Sequence, residues 1–390
     1  MVEDWLVELG KGIGRLFLNP LLYWAIALVI LAGVRRVKRE RNYFGTKVFD
    51  VFSEWKDTFG LSLGIGLIVS LLSLGVGMVV SYEVLLVLGI VMILVSLSLR
   101  FTMLSPSYTI GITSIILLLL PMVTEYVDFL SVQDNTNFVA LTILLGLFLL
   151  VEALLLKRTR HNDTYPSLVL GERGSWIGRH FIKKFAIIPF FIFVPAGLIE
   201  PIAPYWPMLS MGEEQYGIVL FPFLIGFEHV VKGHLPQLVA KRLAKSISLL
   251  GVLVLVIAIG SVYIPWLSIV AIIIAIFGRE MLNYRILMYD HGKRPYFNHT
   301  NDGLKVLSII PGSPADRLAI LIGETISKVN GQKVHSVEEL YEALQQTGSF
   351  FKIELIDKNG EIRFVQSAMY EGDHHELGLI FVGDPYRAMK

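Results

Sequence analysis

Long uninterrupted apolar blocks, with neither a helical nor a strand period, dominate the first 280 residues of this chain. Crossing the hydrocarbon core of a bilayer takes about 20 mostly apolar residues as a helix, fewer where flanking charges reach the interface. By that measure nine blocks qualify, at 17–34, 59–80, 84–99, 108–123, 138–156, 185–200, 216–231, 246–260 and 262–278. Lipid offers no partner to a bare backbone amide, so each block is expected to be helical, with Pro121, Pro189, Pro195 and Pro222 as kinks covered by neighbouring helices. Ahead of them Trp5, Leu9, Ile13 and Phe17 recur at every fourth position. That spacing is compatible with an amphipathic helix over 4–18 in the interface, after which Asn19-Pro20 starts a segment that enters without crossing. Eight and nine spans are therefore both open.

Lysine and arginine mark the cytoplasmic loops of membrane proteins. The loop at 35–58 carries Arg35, Arg36, Lys38, Arg39, Arg41, Lys47 and Lys56; that at 157–184 carries Lys157, Arg158, Arg160, Arg173, Arg179, Lys183 and Lys184. Lys232, Lys241, Arg242 and Lys245 follow, then Arg279, Arg285, Lys293 and Arg294. Between them lie loops without a basic residue, holding Glu83, then Glu125, Asp128 and Asp134, then Glu213 and Glu214. Strict alternation places the basic loops and the C-terminal domain inside whichever count is right. With all nine blocks crossing, the N-terminus is outside.

From about residue 300 the pattern changes to short strands, turns and one helix. Residues 303–310 form a strand, Pro311-Gly312-Ser313-Pro314-Ala315 a turn into a short helix, and Asn330-Gly331 a two-residue hairpin turn. Ser336-Val337-Glu338-Glu339 is a capping box that starts a helix with Leu340 and Leu344 on one face. Strands at 351–356 and 362–366 follow. These words, with G-E-x-I at 323–326 and V-N-G-x-x-V at 329–334, resemble bacterial PDZ domains. The departures are Ala319 where that family usually has Gly, Ile322 where it often has Pro, and Glu324 where Asp is commoner. The chain opens at what would be an inner strand, so the displaced strand is expected last, at Glu376-Leu377-Gly378-Leu379-Ile380-Phe381. The resemblance implies a peptide groove between Leu377, Gly378, Leu379 and Ile380 on one side and Val337, Leu340, Tyr341 and Leu344 of the helix on the other, with an added strand as ligand. The same groove filled by the protein itself is the plainer alternative.

The expected fold class is thus an α-helical polytopic membrane bundle of eight or nine spans followed by a small α+β PDZ domain with permuted strand order. Its divisions are 1–58 (first helix or span and basic loop), 59–278 (bundle), 279–299 (cytoplasmic linker) and 300–390 (PDZ domain). A hydrophobic share of 54% against 17% charged residues agrees with lipid as the main solvent. The acidic start, without a positive n-region or cleavage site, predicts that no signal peptide is removed. With no cysteine, thiolate metal sites, disulfides and a thiol nucleophile are excluded.

Membrane domain plus PDZ invites comparison with site-2 intramembrane metalloproteases, but H-E-x-x-H is absent; Glu228-His229 and His234 have the wrong order and spacing. No G-x-S-x-G occurs, and Ser70, Ser73, Ser96 and Ser114 read as helix-packing residues. Of the ionisable residues at membrane depth, Glu152 is expected to snorkel beside Lys157 and Arg158, and Glu228 and His229 to pair with Lys232 or each other, a transport site being the alternative. Leu18-Asn19-Pro20-Leu21-Leu22-Tyr23-Trp24, the basic run Arg35-Arg36-Val37-Lys38-Arg39-Glu40-Arg41, a bundle without catalytic motifs and a terminal PDZ domain together resemble the Gram-positive family of cell-division topological determinants of MinJ type. The resemblance implies a non-enzymatic scaffold without cofactor, enriched at septum and poles, that bridges the coiled-coil protein DivIVA to the division inhibitor MinD. Other divisome membrane proteins and membrane lipid are further partners, nucleic acid is not. A protease relative with a disguised metal site, and a transporter or sensor with an appended PDZ module, are the competing readings.

Overall fold

The computed structural model describes residues 2–120, 135–172, 174–203, 206–209, 215–298, 302–346, 350–368 and 377–387. Pro121, Glu125, Asp128, Asp134, Arg173, Glu213, Glu214 and Glu376 lie outside the described residues. Its first elements are helices α1 (Val2–Leu18), α2 (Pro20–Phe44), α3 (Ser53–Val76), α4 (Tyr82–Ser96), α5 (Pro106–Leu119) and α6 (Asn135–Lys157). Asn19 caps α2 by accepting from the Leu21 amide at 3.0 Å, and Pro20 occupies the first turn, where no amide is needed. Gly45 and Gly77 end α2 and α3 at φ of 75° and 72°. Farther on come α7 (Pro236–Gly260) and α8 (Leu267–His291), the latter running on through the first part of the stretch read as a linker. Of these, α2, α3, α6, α7 and α8 are long and apolar enough to cross a membrane, while α4 and α5 are shorter apolar helices. α6 and α7 approach closely because Gly146 faces Leu255 and Gly251 faces Leu149 and Leu150.

The blocks at 185–200 and 216–231 are not helices. They fall in strands β2 (Trp176–Ile199) and β3 (Tyr216–Val231), an antiparallel hairpin whose base is widened by β1 (Tyr165–Leu170). Pro189 and Pro222 face each other across the hairpin as strand residues, not helix kinks, and Pro195 lies beside a bulge. A hairpin in a lipid-exposed bundle must satisfy two open edges. Here helices and a 3-10 turn supply partners at several points along each edge. Along β2, the Ser70 hydroxyl accepts from the Phe191 amide at 2.8 Å, Ser73 donates to the Phe191 carbonyl, and Thr58 donates to that of Phe185. At Gly66 a Cβ would overlap the Pro189 carbonyl oxygen. Thr58, Gly66, Ser70 and Ser73 thus form one face of α3 laid against the strand. Along β3, Glu8 of α1 accepts from the Ile218 amide at 3.4 Å and Arg15 donates to the Ile218 carbonyl at 3.1 Å. Farther down, Thr102, in a 3-10 turn at Phe101–Leu104, donates to the Glu228 carbonyl at 2.7 Å.

The first helix forms as its spacing predicts, but Trp5 and Leu9 pack on the hairpin with Phe193 and Trp206, while Ile13 and Phe17 of the same spacing are exposed. Glu152 does not snorkel. It is fully buried 2.6 Å from Arg279, with Ser105 donating to its other oxygen at 2.6 Å, because α8 stays helical past residue 278 and carries Arg279 into the interior. Glu228 meets Lys183 at 3.5 Å, its opposite residue in the strand register, and not Lys232.

The C-terminal part contains β4 (Leu304–Ile309), α9 (Pro314–Arg317), β5 (Thr325–Val329), β6 (Gln332–Lys333), α10 (Val337–Gln345), β7 (Phe350–Ile356), β8 (Ile362–Ala368) and β9 (Leu379–Phe381). The sheet order is β8-β7-β5-β4-β9, with β6 against β5, so the last strand joins the first as the permuted order requires. Asn330 and Gly331 take φ of 51° and 86°, and the Asn330 side chain also accepts from Lys352 and donates to Ala343. Ser336 caps α10 by accepting from the Glu339 amide at 3.2 Å. Ala319 sits at φ 52°, which accounts for glycine being usual in the family at that place.

Candidate peptide groove and its attachment to the bundle

β9 is the end strand of its sheet among the described residues, and Val337 and Tyr341 of α10 line one cavity with it. Leu379 and Phe381 point to the PDZ core, and alternation turns Ile380 the other way. A cavity of about 310 Å³ lies along β9. Of the eight residues expected in the groove, Val337, Tyr341, Gly378, Leu379 and Ile380 line it. Leu340, Leu344 and Leu377 do not; each is buried in the PDZ core, where it holds α10 and the loop in place. Gly378 has φ 77°, and a Cβ there would overlap Ser313. Its carbonyl accepts from Ile310 at 2.8 Å and that of Leu377 from Ala315 at 3.0 Å, so the loop before β9 is pinned to the turn that starts α9. The arrangement offers a strand edge beside an apolar slot, which suits main-chain pairing with an extended peptide.

The second wall comes from outside the PDZ domain. Tyr43, Phe44 and Thr46 at the end of α2, and Leu168 of β1, line the same cavity. Tyr386 closes its end, its amide donating to the Tyr43 carbonyl at 2.9 Å, while Arg387 donates to Asn42 at 3.0 Å. Sequence reasoning missed these residues, since nothing local to 42–46 distinguishes them from the basic loop around them.

An apolar cluster fixes this geometry. Leu307, Ile322, Ile380 and Val382 of the PDZ domain pack on Tyr165, Leu168, Phe49 and Phe297. Phe297 is the wedge: its carbonyl accepts from the Gly178 amide at 2.9 Å, and the absence of a Cβ at Gly178 leaves room for Leu307. Asn162 clamps the opposite side, donating to the Ile320 carbonyl at 3.1 Å and accepting from the Ile322 amide at 3.2 Å. A proline at 322 would have no amide to give, which supplies a physical reason for the departure there. His180 lies in the same interface, 3.0 Å from the Thr164 hydroxyl and against the Phe297 ring; burial pushes its pKa down to about 3.

Elsewhere the histidines singled out from sequence do not converge. His229 is half-buried in β3 with its Nε2 out of solvent, whereas His234 stacks on Tyr289 and meets Asp290 at 3.3 Å. No group of three or more metal-ligating side chains occurs among the described residues.

Comparison with known proteins agrees with this architecture. Residues 305–355 match the PDZ domain family. Over 98% of its length the chain is 33% identical to the cell division topological determinant MinJ of Bacillus subtilis (strain 168), covering 97% of that protein. It is also 23% identical, over 94% of its length and 96% of theirs, to probable cell division topological determinants MinJ of Lacticaseibacillus paracasei and Lacticaseibacillus casei (strain BD-II). With a membrane-type helical region, a docked PDZ domain and that likeness over nearly the whole chain, the protein belongs to the MinJ family of cell division topological determinants.

Proposed function

We propose that this chain is a non-enzymatic membrane scaffold of division-site selection, gathered at septum and poles, which bridges a DivIVA-like protein to a MinD-like one through surfaces on the cytoplasmic side. The observation that carries the reading is an open strand edge above an apolar slot, held against the membrane region by a buried interface, in a chain of this family. A scaffold needs a binding surface at a fixed place on the membrane, and that interface supplies the fixed place. The groove formed by Val337, Tyr341, Gly378, Leu379 and Ile380 is its partner-binding site.

For topology we propose that the hairpin enters from the basic side and returns to it. Two strands then replace two helices without changing which loops share a side, and the C-terminal domain stays with the basic loops in the cytoplasm. α1 lies beside the far end of the hairpin, which favours an N-terminus on the opposite side.

A fluorescent protein that matures only in the cytoplasm, fused after Lys390, tests both proposals. Fluorescence concentrated at septa, and lost to an even outline in Val337→Arg, is the expected result. An even outline from the unaltered fusion overturns the scaffold reading; no fluorescence from a stably produced fusion overturns the topology.

A further inference from the structure

At the basic end of the bundle a cavity of about 150 Å³ lies between the start of α3, the end of α6 and β2. Liquid water takes about 30 Å³ per molecule, so the space suits a group of several heavy atoms. Its lining is two-sided. Leu61 on α3 and Leu155 on α6 stand about one helical turn deeper in the bundle than Asp57 and Arg158. Arg158, Thr159, Arg160 and Lys184 line it toward the loops.

The polar side has more donors than acceptors. Lys184 is buried, its Nζ 2.7 Å from Asp57 and 3.9 Å from Asp163, so its single charge stands between two carboxylates that also line the cavity. The Thr159 hydroxyl is 3% exposed and has no hydrogen-bond partner among the described residues. Arg158 and Arg160, both exposed at the mouth of the cavity, take part in no ion pair among them. A buried hydroxyl without an acceptor is a cost that a ligand oxygen removes. Two unpaired guanidinium groups beside it suit an anion with several oxygens. The leucines continue the cavity toward the hydrocarbon, which suits an anion carrying acyl chains better than a free one.

We propose that this cavity binds the phosphate headgroup of an anionic phospholipid, with Thr159 donating a hydrogen bond to a phosphate oxygen and Arg158 and Arg160 supplying the countercharge. The site requires only that the bundle lie in a bilayer; it does not depend on the division role, so each can fail alone.

The test uses the full chain purified in neutral detergent, with thermal stability followed as phosphatidylglycerol, phosphatidylcholine or soluble glycerol phosphate is added. Saturable stabilisation by phosphatidylglycerol alone is expected, with apparent affinity falling about ten- to thirtyfold in the Arg158→Gln/Arg160→Gln variant and in the same direction in Thr159→Val. Arg35→Gln/Lys38→Gln removes equal charge from exposed positions outside the cavity and is expected to leave the affinity unchanged. An equal fall in that control, equal stabilisation by phosphatidylcholine, or equal stabilisation by glycerol phosphate each overturns the proposal: the first points to diffuse charge, the second to bilayer mass, the third to a free-phosphate site.

Discussion

Ser70→Ala tests whether side chains of α3 make a hairpin tolerable in this bundle. The substitution removes the oxygen that accepts from the Phe191 amide at 2.8 Å and leaves that part-buried amide, on the seam between α3 and β2, without its partner. An unsatisfied buried donor costs about 1–3 kcal/mol, and lipid surroundings favour the upper part of that range. Gly66→Ala attacks the same seam by another route, because the new methyl group overlaps the Pro189 carbonyl oxygen and pushes the helix off the strand. Overpacking of this kind costs about 1–3 kcal/mol and also lengthens the Ser70 bond. The two effects share one contact, so the double variant is expected to lose less than their sum. Leu67→Ala, at a residue of α3 that is 65% exposed, is the control and is expected to shift stability by less than about 0.5 kcal/mol. Detergent-titrated unfolding in bicelles, followed by tryptophan fluorescence, supplies the free energies. If Ser70→Ala matches the Leu67→Ala control, the α3 hydroxyls do not hold the strand edge, and something other than helix side chains makes the hairpin tolerable in lipid.

Ala319→Gly relieves a side chain held at φ 52° and is expected to stabilise the PDZ domain by about 0.5–1 kcal/mol, measured by chemical denaturation; a loss of stability would show that the methyl group packs more than it strains. Asn162→Ala removes both docking hydrogen bonds to 320–322, about 1–2 kcal/mol, and roughly tenfold faster amide hydrogen exchange around Phe297 is expected, with the PDZ interior unchanged; unaltered exchange would mean that the apolar cluster alone holds the domain. His180 is held neutral by burial down to about pH 3, whereas in the unfolded chain it protonates near pH 6.5. The unfolded state therefore binds the extra proton in that window, and stability falls as pH is lowered, by about 1.6 kcal/mol between pH 6.5 and 5. Stability against pH for the native chain and His180→Phe should diverge across that interval, and parallel curves would remove His180 as the cause.

The PDZ half was legible because its signals are local. Asn330-Gly331, the Ser336 cap and the glycine before β9 each impose a backbone shape within four residues, and their order along the chain carries the fold. The groove was legible only on its PDZ side. Alternation along β9 and the face of α10 identify Leu379, Val337 and Tyr341, but the residues that complete the cavity come from 43–46 and 168, and no local spacing links them to 337–382. Glu152 was misplaced for a similar reason, since its partner Arg279 lies 127 residues away on a helix that continues beyond its apolar block.

The hairpin marks the same boundary most sharply. A run such as Ile187-Ile188-Pro189-Phe190-Phe191-Ile192-Phe193 is apolar throughout and short, which is compatible with a membrane helix and with a buried strand alike. Its aromatic and branched residues and its prolines lean toward a strand, yet a lone strand pair in lipid is forbidden unless both edges find partners. Those partners are Thr58, Gly66, Ser70 and Ser73 on one side and Glu8, Arg15 and Thr102 on the other, up to 210 residues distant. The sequence by itself thus determined which segments are apolar, which ends carry the positive charge and what the C-terminal domain is, because composition and local backbone chemistry decide these. Only the tertiary structure decided helix against strand at 185–231 and what faces the groove, because both depend on hydrogen bonds and packing between parts of the chain that the sequence does not connect.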